Sequence, residues 1–134
     1  MLRYILDTNT CIYVIKTPTG KLRDVFNERS QHLCISSVTL AELLYGVEKS
    51  MRAAHNLSIV EDFAARLKVL PFDDMAASHY AQIRAHLERK GTPIGPYDLM
   101  IAGHARSQGL VLVTRNTREF KRVVGLRIED WADT

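Results

Sequence analysis

Short apolar runs alternate with longer amphipathic segments along this chain, and that alternation limits the possible folds more than any other feature. The apolar runs have strand-like composition, whereas the amphipathic segments carry apolar side chains at helical spacing. Parallel strands need helical crossovers, which cover both faces of a sheet. We therefore predict an α/β fold with a central parallel sheet, built from strands at Arg3–Leu6, Leu33–Ser36, Val69–Leu70, Leu110–Thr114 and Leu126–Ile128.

The segments between these strands are predicted to be helices. Polar residues that favour helix N-termini precede several of them, notably the run Asp7–Thr10 and the pair Ser36 and Ser37. No repeat, low-complexity tract or linker interrupts the pattern, so we treat residues 1–134 as a single domain. The predicted helices are Cys11–Lys16, a segment containing Leu22 and Phe26, Ser37–Met51, Asn56–Leu67, Met75 to about Gly91, and Tyr97–Gln108.

Composition and charge set wider limits on function. The chain has 134 residues, a formal net charge of +3 and only two cysteines, Cys11 and Cys34. The small basic excess is compatible with a nucleic-acid partner but does not require one. Two distant cysteines match neither a disulfide framework nor a metal motif, and no apolar stretch is typical of a membrane span. We expect a cytoplasmic protein with no membrane association.

Four acidic residues, far apart in the sequence, are predicted to meet at one edge of the sheet. Asp7 directly follows the first strand, and Glu42 lies in the second turn of the helix that leaves the second strand. Asp98 begins a helix that must run antiparallel to Leu110–Thr114, so its first turn lies at the carboxyl edge. Glu119 follows the end of that strand. Ligands of parallel α/β sheets bind beyond this edge.

Carboxylates that lie this close repel one another unless a cation separates them. Ligands that are all oxygen atoms favour a hard cation, so Mg²⁺ or Mn²⁺ is expected rather than zinc. A cation held there would suit hydrolysis of a phosphodiester bond. We therefore predict Asp7, Glu42 and Asp98 as metal ligands and, with Glu119, as catalytic residues.

Each of these residues also has an ordinary structural interpretation. Asp7 could only cap a helix, Asp98 could only favour a helix dipole, and Glu42 and Glu119 could be solvated surface acids. Their shared edge is what favours a site. Residues beside the acids are predicted to support the site or to cap helices and turns, namely Thr8, Asn9, Thr114 and Asn116. Two arginines that flank the site, Arg115 and Arg118, are predicted to contact substrate phosphates.

The motifs that contain these residues resemble the PIN-domain ribonucleases, and in particular the VapC-type toxins of bacterial toxin–antitoxin pairs. The resemblance covers essentially the whole chain. It is carried by YILDTNTCIY at 4–13, CISSVTLAELLYG at 34–46, GTPIGPYDLMIAGHA at 91–105, LVTRNTREF at 112–120 and GLRIEDW at 125–131.

The resemblance implies a three-layer α/β/α sandwich and a Mg²⁺- or Mn²⁺-dependent endoribonuclease of a type II toxin–antitoxin system. It also implies a homodimer, a VapB-like cognate antitoxin that inserts a segment into the acidic pocket, and cleavage of initiator tRNA in the anticodon stem-loop. Many PIN domains have an aspartate where this chain has Asn116, and here the acid comes three residues later as Glu119. The fourth ligand and the number of metal ions therefore stay open.

Three other functions are consistent with parts of the pattern. A receiver-type phosphoacceptor domain also gathers acids at this edge, but Asp7 has no acidic neighbour and no lysine follows Leu126–Ile128. A non-catalytic module could use the acidic pocket only to bind a basic partner. A deoxyribonuclease is also possible, because a carboxylate–metal centre does not by itself recognise the 2′-hydroxyl group.

Overall fold

A five-stranded sheet, in which every strand pairing is parallel, forms the centre of the protein's computed structural model. The structure describes residues 1–132, so the last two residues of the predicted domain lie outside it. The spatial order of the strands is β3-β2-β1-β4-β5. The strands are β1 (Tyr4–Leu6), β2 (Leu33–Ser36), β3 (Lys68–Leu70), β4 (Val111–Val113) and β5 (Ile128–Glu129).

Seven α-helices connect the strands within the described residues, and a 3-10 turn at Ser30–His32 precedes β2. The first helix begins at Thr8 rather than at the predicted Cys11, because Asp7 itself is the N-cap. A short helix past β4 was not predicted, since four residues are too few to show a periodic pattern. The helices are α1 (Thr8–Lys16), α2 (Lys21–Glu28), α3 (Ser37–Glu48), α4 (Ala53–Ala64), α5 (Asp74–Arg89), α6 (Pro96–Gln108) and α7 (Thr117–Phe120).

Successive strand residues face opposite sides of the sheet and enter two separate cores. In β1, Tyr4 and Leu6 pack in the core formed with helices α1 to α4. Ile5 lies between them in sequence but packs in the second core, with residues of α5 and α6 and with Phe120. The sheet is therefore covered by helices on both faces, which confirms the predicted α/β/α sandwich.

The strand order places a topological switch point between β1 and β4. From β1 the chain builds the sheet outward through β2 and β3, and then returns to add β4 on the opposite side of β1. The connections from these two neighbouring strands leave in opposite directions and open a crevice at their carboxyl ends. Asp7 follows β1 at this crevice, and Thr114 follows β4.

Helix α6 lies unusually close to α5, and this contact fixes the helix that carries Asp98. A side-chain carbon added at Gly103 would lie 2.6 Å from the backbone nitrogen of Tyr80. Only glycine permits this approach without displacement of the backbone.

No helix within residues 1–132 is both long enough and apolar enough to cross a membrane.

Candidate active site

Asp7 is buried at the crevice and is held by hydrogen bonds to both of its carboxylate oxygens. Its side chain is 2% exposed. Oδ1 accepts a hydrogen bond of 2.9 Å from the backbone N–H of Thr10, which caps α1. Oδ2 accepts a hydrogen bond of 2.6 Å from the hydroxyl group of Thr114. The capping interpretation of Asp7 is therefore correct, but the second contact joins β1 to β4 and fixes the orientation of the carboxylate.

Glu42 reaches the same crevice from α3. That helix starts directly after β2, because the Ser36 hydroxyl group accepts a hydrogen bond from the backbone N–H of Val38 and caps it. The Thr8 hydroxyl group donates a 2.6 Å hydrogen bond to Oε1 of Glu42 and lies 3.2 Å from the Thr39 hydroxyl group. Thr8 therefore links α1 to α3 and orients the glutamate, instead of capping its own helix.

Asp98 occupies the first turn of α6, and its carboxylate has no hydrogen bond within residues 1–132. It is half-buried, and burial is the main cause that raises the pKa of its carboxyl group from 3.8 to about 6. The negative charges of Asp7, Glu42 and Glu119 raise this pKa further. The charges of the four predicted acids therefore act on one another, and their repulsion disfavours the ionised form of Asp98.

Glu119 is joined to the other acids through Asn116 and Thr114. The side-chain amide of Asn116 donates a hydrogen bond to Oε1 of Glu119, and its backbone N–H donates one of 2.9 Å to the Thr114 hydroxyl group. That hydroxyl group in turn donates to Asp7. A continuous chain of hydrogen bonds therefore connects the short helix α7 with the end of β1.

No ion pair offsets the negative charge of these four carboxylates in the described part of the chain. The ion pairs formed there join Arg29 to Glu129 and Arg84 to Glu88, and neither includes a residue of the site. A cavity of about 200 Å³ lies beside the acids and is lined by Asn9, Glu42 and Asp98, among others. The crevice is thus an anionic, water-accessible pocket that is suited to a cation.

The side chains suit a hydrated cation better than a closed metal cage. Among residues 1–132, no group of three or more His, Cys, Asp or Glu side chains is gathered closely enough to hold an ion by itself. Mg²⁺ keeps several of its water ligands and binds proteins through one or two carboxylates, so separated acids around a wet cavity fit its chemistry. The donors are oxygen atoms, as Mg²⁺ and Mn²⁺ prefer.

The two predicted RNA-binding arginines are both exposed near the end of β4. The guanidinium carbon of Arg115 lies 4.1 Å from the ring centre of Tyr13 in α1, a cation–π contact that sequence reasoning did not foresee. Stacking on Tyr13 orients Arg115. Arg118 lies in α7, one residue before Glu119.

Sequence reasoning also missed Thr39, which is fully buried beside Thr8. One signal could have identified it, because Thr39 lies three residues before Glu42 and so shares its face of α3. The nearby thiol of Cys11 has no role in this site: burial, and then the charge of Asp7, raise its pKa well above the ordinary value.

Comparison with known proteins decides the family. The PIN domain model matches residues 4–126. The tRNA(fMet)-specific endonuclease VapC of Salmonella typhimurium is 59% identical over 98% of this chain and 99% of its own length. The chain belongs to the PIN-domain family. The Shigella flexneri protein of the same name is 56% identical over 98% of this chain and 100% of its own length.

Solved structures of the family agree with the fold. The VapC chain in the crystal structure of DNA-bound VapBC from Salmonella typhimurium superposes with a TM-score of 0.95 and 59% identity, over 98% of this chain and 99% of that chain. The predicted likeness to VapC proteins of the PIN-domain family is therefore confirmed, together with the predicted sandwich.

Proposed function

We propose that this protein is a divalent-metal-dependent endoribonuclease and the toxin of a type II toxin–antitoxin pair. The observation that carries the proposal is the state of Asp98, whose carboxylate lacks a hydrogen bond within residues 1–132 and has a pKa raised first by burial and then by three neighbouring acids. A protein that keeps such a repulsive cluster at a sheet crevice gains nothing in stability from it. A bound cation and a phosphodiester substrate explain the arrangement.

The residues of the chain prepare the pocket for this chemistry. Asp7, Glu42 and Asp98, together with water molecules, would hold Mg²⁺ or Mn²⁺, which would supply positive charge and Lewis acidity at the phosphoryl group. Thr114 and the N-terminus of α1 hold Asp7 in a single orientation, and Thr8 holds Glu42. Because these contacts exist before substrate binds, little reorganisation is needed during reaction.

Glu119 and the exposed arginines complete the proposed machinery. The hydrogen bond from Asn116 orients Glu119 beside the pocket, where it would take part in catalysis or act as a fourth ligand. Arg115, held against Tyr13, and Arg118 would contact RNA phosphates on the rim. Asn9 lines the cavity and would donate hydrogen bonds to a bound phosphate.

The proposed substrate is initiator tRNA, cut in the anticodon stem-loop so that translation stops. Its support is the name of the Salmonella and Shigella relatives, tRNA(fMet)-specific endonuclease VapC. The Salmonella protein is also found in a VapBC complex, which supports a VapB-like antitoxin as partner. We also propose a homodimer, which the family resemblance implies, and a cytoplasmic location, which the two distant cysteines favour.

The decisive experiment measures cleavage by purified, antitoxin-free protein. We expect initiator tRNA to be cut with Mg²⁺ or Mn²⁺ and to stay intact after addition of EDTA. Asp7→Asn and Asp98→Asn should keep the fold and abolish cleavage. A matched control is Asp74→Asn, which changes an exposed first-turn acid of α5, outside the site, and should cleave normally.

Three results would overturn the proposal. Normal cleavage by both site variants would place the chemistry elsewhere. Cleavage of an all-DNA version of the stem-loop at the rate of the RNA would replace the ribonuclease by a nuclease without sugar selectivity. A wild-type protein that binds antitoxin but never cleaves nucleic acid would favour the non-catalytic acidic module.

A further inference from the structure

The cavity of about 200 Å³ that Glu42 and Asp98 line, here called the carboxylate cavity, adjoins a larger groove lined by residues of α1, α3 and α4. The groove has a volume of about 1130 Å³, more than the roughly 300–1000 Å³ of a typical small-molecule site, so it suits an extended ligand. Four residues line both spaces, namely Thr8, Asn9, Glu42 and Tyr97. A ligand that leaves the carboxylates along this groove therefore passes Tyr97.

Tyr97 is the aromatic residue in the lining of the carboxylate cavity. Its backbone belongs to a helix, whereas its ring is exposed. It follows Pro96 in the first turn of α6 and directly precedes Asp98. Its side chain is 55% exposed. Within residues 1–132 its hydroxyl group has no hydrogen bond, and no aromatic ring or cation stacks on its own ring. A rigid backbone thus presents an unused aromatic surface beside the acids.

A second exposed tyrosine in the same groove differs in a useful way. Tyr45 of α3 is 66% exposed, but it lines only the larger groove. The ammonium group of Lys49 already lies 5.0 Å from its ring centre. Lys16 lines the larger groove as well. The ammonium groups of Lys16 and Lys49 suit the phosphates of a nucleic-acid chain that continues outward from the carboxylate cavity.

We propose that Tyr97 stacks on an unpaired nucleobase next to the scissile phosphate and so positions the RNA at the carboxylates. The inference rests on the proposed ribonuclease function and names the group that Tyr97 recognises. Unpaired bases are commonly bound by stacking on aromatic side chains, whereas bases within a duplex are not accessible to them. A substrate cut in a loop supplies such a base.

A peptide segment is the alternative occupant, and the lining distinguishes the two. The aliphatic residues Ile12, Ile15 and Ile59 line the larger groove but not the carboxylate cavity. At the cavity, the residues that accompany Tyr97 are Gly95, Pro96 and residues with acidic, hydroxyl or amide groups, and none has an aliphatic side chain of the isoleucine type. A phosphodiester has to enter the cavity beside Glu42 and Asp98 to react, so the neighbouring aromatic ring favours a base rather than an aliphatic side chain.

The test compares three substitutions of one exposed residue. Tyr97→Phe keeps the aromatic ring, whereas Tyr97→Leu keeps apolar bulk without it and Tyr97→Ala removes both. On a synthetic hairpin RNA that contains the initiator-tRNA anticodon stem-loop, we expect the Tyr97→Phe variant to retain the kcat/KM of the wild type. The Tyr97→Leu and Tyr97→Ala variants should have a kcat/KM lowered roughly 5- to 150-fold, as expected for loss of one stacked base. Tyr45→Ala is the matched control and should have a clearly smaller effect.

An abasic RNA makes the test specific for stacking. Removal of the base beside the mapped cleavage site should lower kcat/KM of the wild type as much as Tyr97→Ala does, and should have no further effect on that variant. Binding gives a second readout without cleavage. In an Asp7→Asn background, a 2-aminopurine at this position should lose fluorescence on binding when residue 97 is Tyr or Phe but not when it is Leu.

These outcomes separate the inference from the proposed function. Wild-type cleavage with equal kcat/KM for the Leu and Phe variants would overturn the stacking role and leave the ribonuclease intact. Additive effects of the abasic site and Tyr97→Ala would also overturn it. If Tyr97→Leu impairs only antitoxin binding, Tyr97 belongs to the peptide site. Failure of the wild type to cleave any RNA would overturn the proposed function, and the fluorescence experiment would still decide the stacking.

Discussion

Replacement of Asp98 by asparagine should have two opposite consequences, because the residue serves a site at the expense of stability. The carboxyl group has a pKa raised from 3.8 to about 6 by burial and by three neighbouring acids. Its ionised form is therefore less favourable in the folded protein than in the unfolded chain. An asparagine side chain has nearly the same shape without the charge, so the metal-free Asp98→Asn variant should be more stable and inactive.

The size of the effect follows from the shift in pKa. A shift of about two units corresponds to about 3 kcal/mol, because each unit is worth about 1.36 kcal/mol. Asp98 is partly exposed, so solvent screening lowers this value. An acid in the first turn also gains roughly 0.3–1 kcal/mol from the helix dipole, which asparagine largely loses. We therefore expect Asp98→Asn to raise the free energy of unfolding by about 1–2 kcal/mol at neutral pH.

The pH dependence of the free energy of unfolding shows whether the ionised form of Asp98 stabilises or destabilises the fold. Because the folded-state pKa lies above that of the unfolded chain, the contribution of the group to stability is complete below pH 3.8 and is lost as pH rises through about 6. The difference between variant and wild type should therefore be small at pH 4 and grow over this range. Urea unfolding in EDTA, followed by circular dichroism, measures it.

Addition of Mg²⁺ provides the opposing measurement. A cation that binds only the folded wild type should stabilise it in proportion to its occupancy, and should stabilise Asp98→Asn much less. The control Asp74→Asn removes a first-turn acid outside the site, so it should show no gain in EDTA and a normal response to Mg²⁺. A variant that is less stable than wild type at every pH would refute the proposed repulsion.

Three further sets of variants test the packing and hydrogen bonds behind the site. Gly103→Ala should destabilise the protein by about 1–3 kcal/mol, because the new methyl group would meet the backbone of Tyr80. Gly46→Ala, where the helix has open space around the added carbon, should stabilise the protein by up to about 1 kcal/mol. Thermal unfolding compares the two variants. Thr114→Val should lower the free energy of unfolding by about 1–3 kcal/mol and slow cleavage, because Asp7 loses a hydrogen bond. Thr114→Ser keeps the hydroxyl group and should retain both stability and cleavage in the same assays. Burial lowers the pKa of His104, whose Nδ1 lies 2.8 Å from the Ser36 hydroxyl group, so the free energy of unfolding should fall as pH drops below 6.5. His104→Asn should remove that part of the pH profile of stability. An unchanged profile in this variant would contradict the prediction.

The short strands and longer helices were predictable because both depend on local pattern. Asp7 begins α1 as its cap, and Gly109 ends α6 with a left-handed backbone, as their positions in the sequence indicate. Parallel strands also share a carboxyl edge, so the general location of Asp7, Glu42 and Asp98 followed from chain order. Helix α7 has no such signal, because four residues complete only one turn.

The partners of the acids could not be predicted in the same way. Thr114 is 107 positions from Asp7, and Glu42 is 34 positions from Thr8. Each of these hydroxyl groups could equally have capped a helix or ended a strand. The order of strands and the packing of helices on the sheet select one partner among many that the sequence allows.

The sequence by itself determined the longer helices and the strands, the alternation of buried faces and the edge at which the acids lie, since these depend on local hydrogen bonding and hydrophobic periodicity. The tertiary structure alone decided that no basic side chain among residues 1–132 pairs with the acids, and that Tyr97 lines both their cavity and the adjoining groove. Electrostatic repulsion and cavity shape depend on distances through space, and residues far apart in the chain set those distances only when the layers pack.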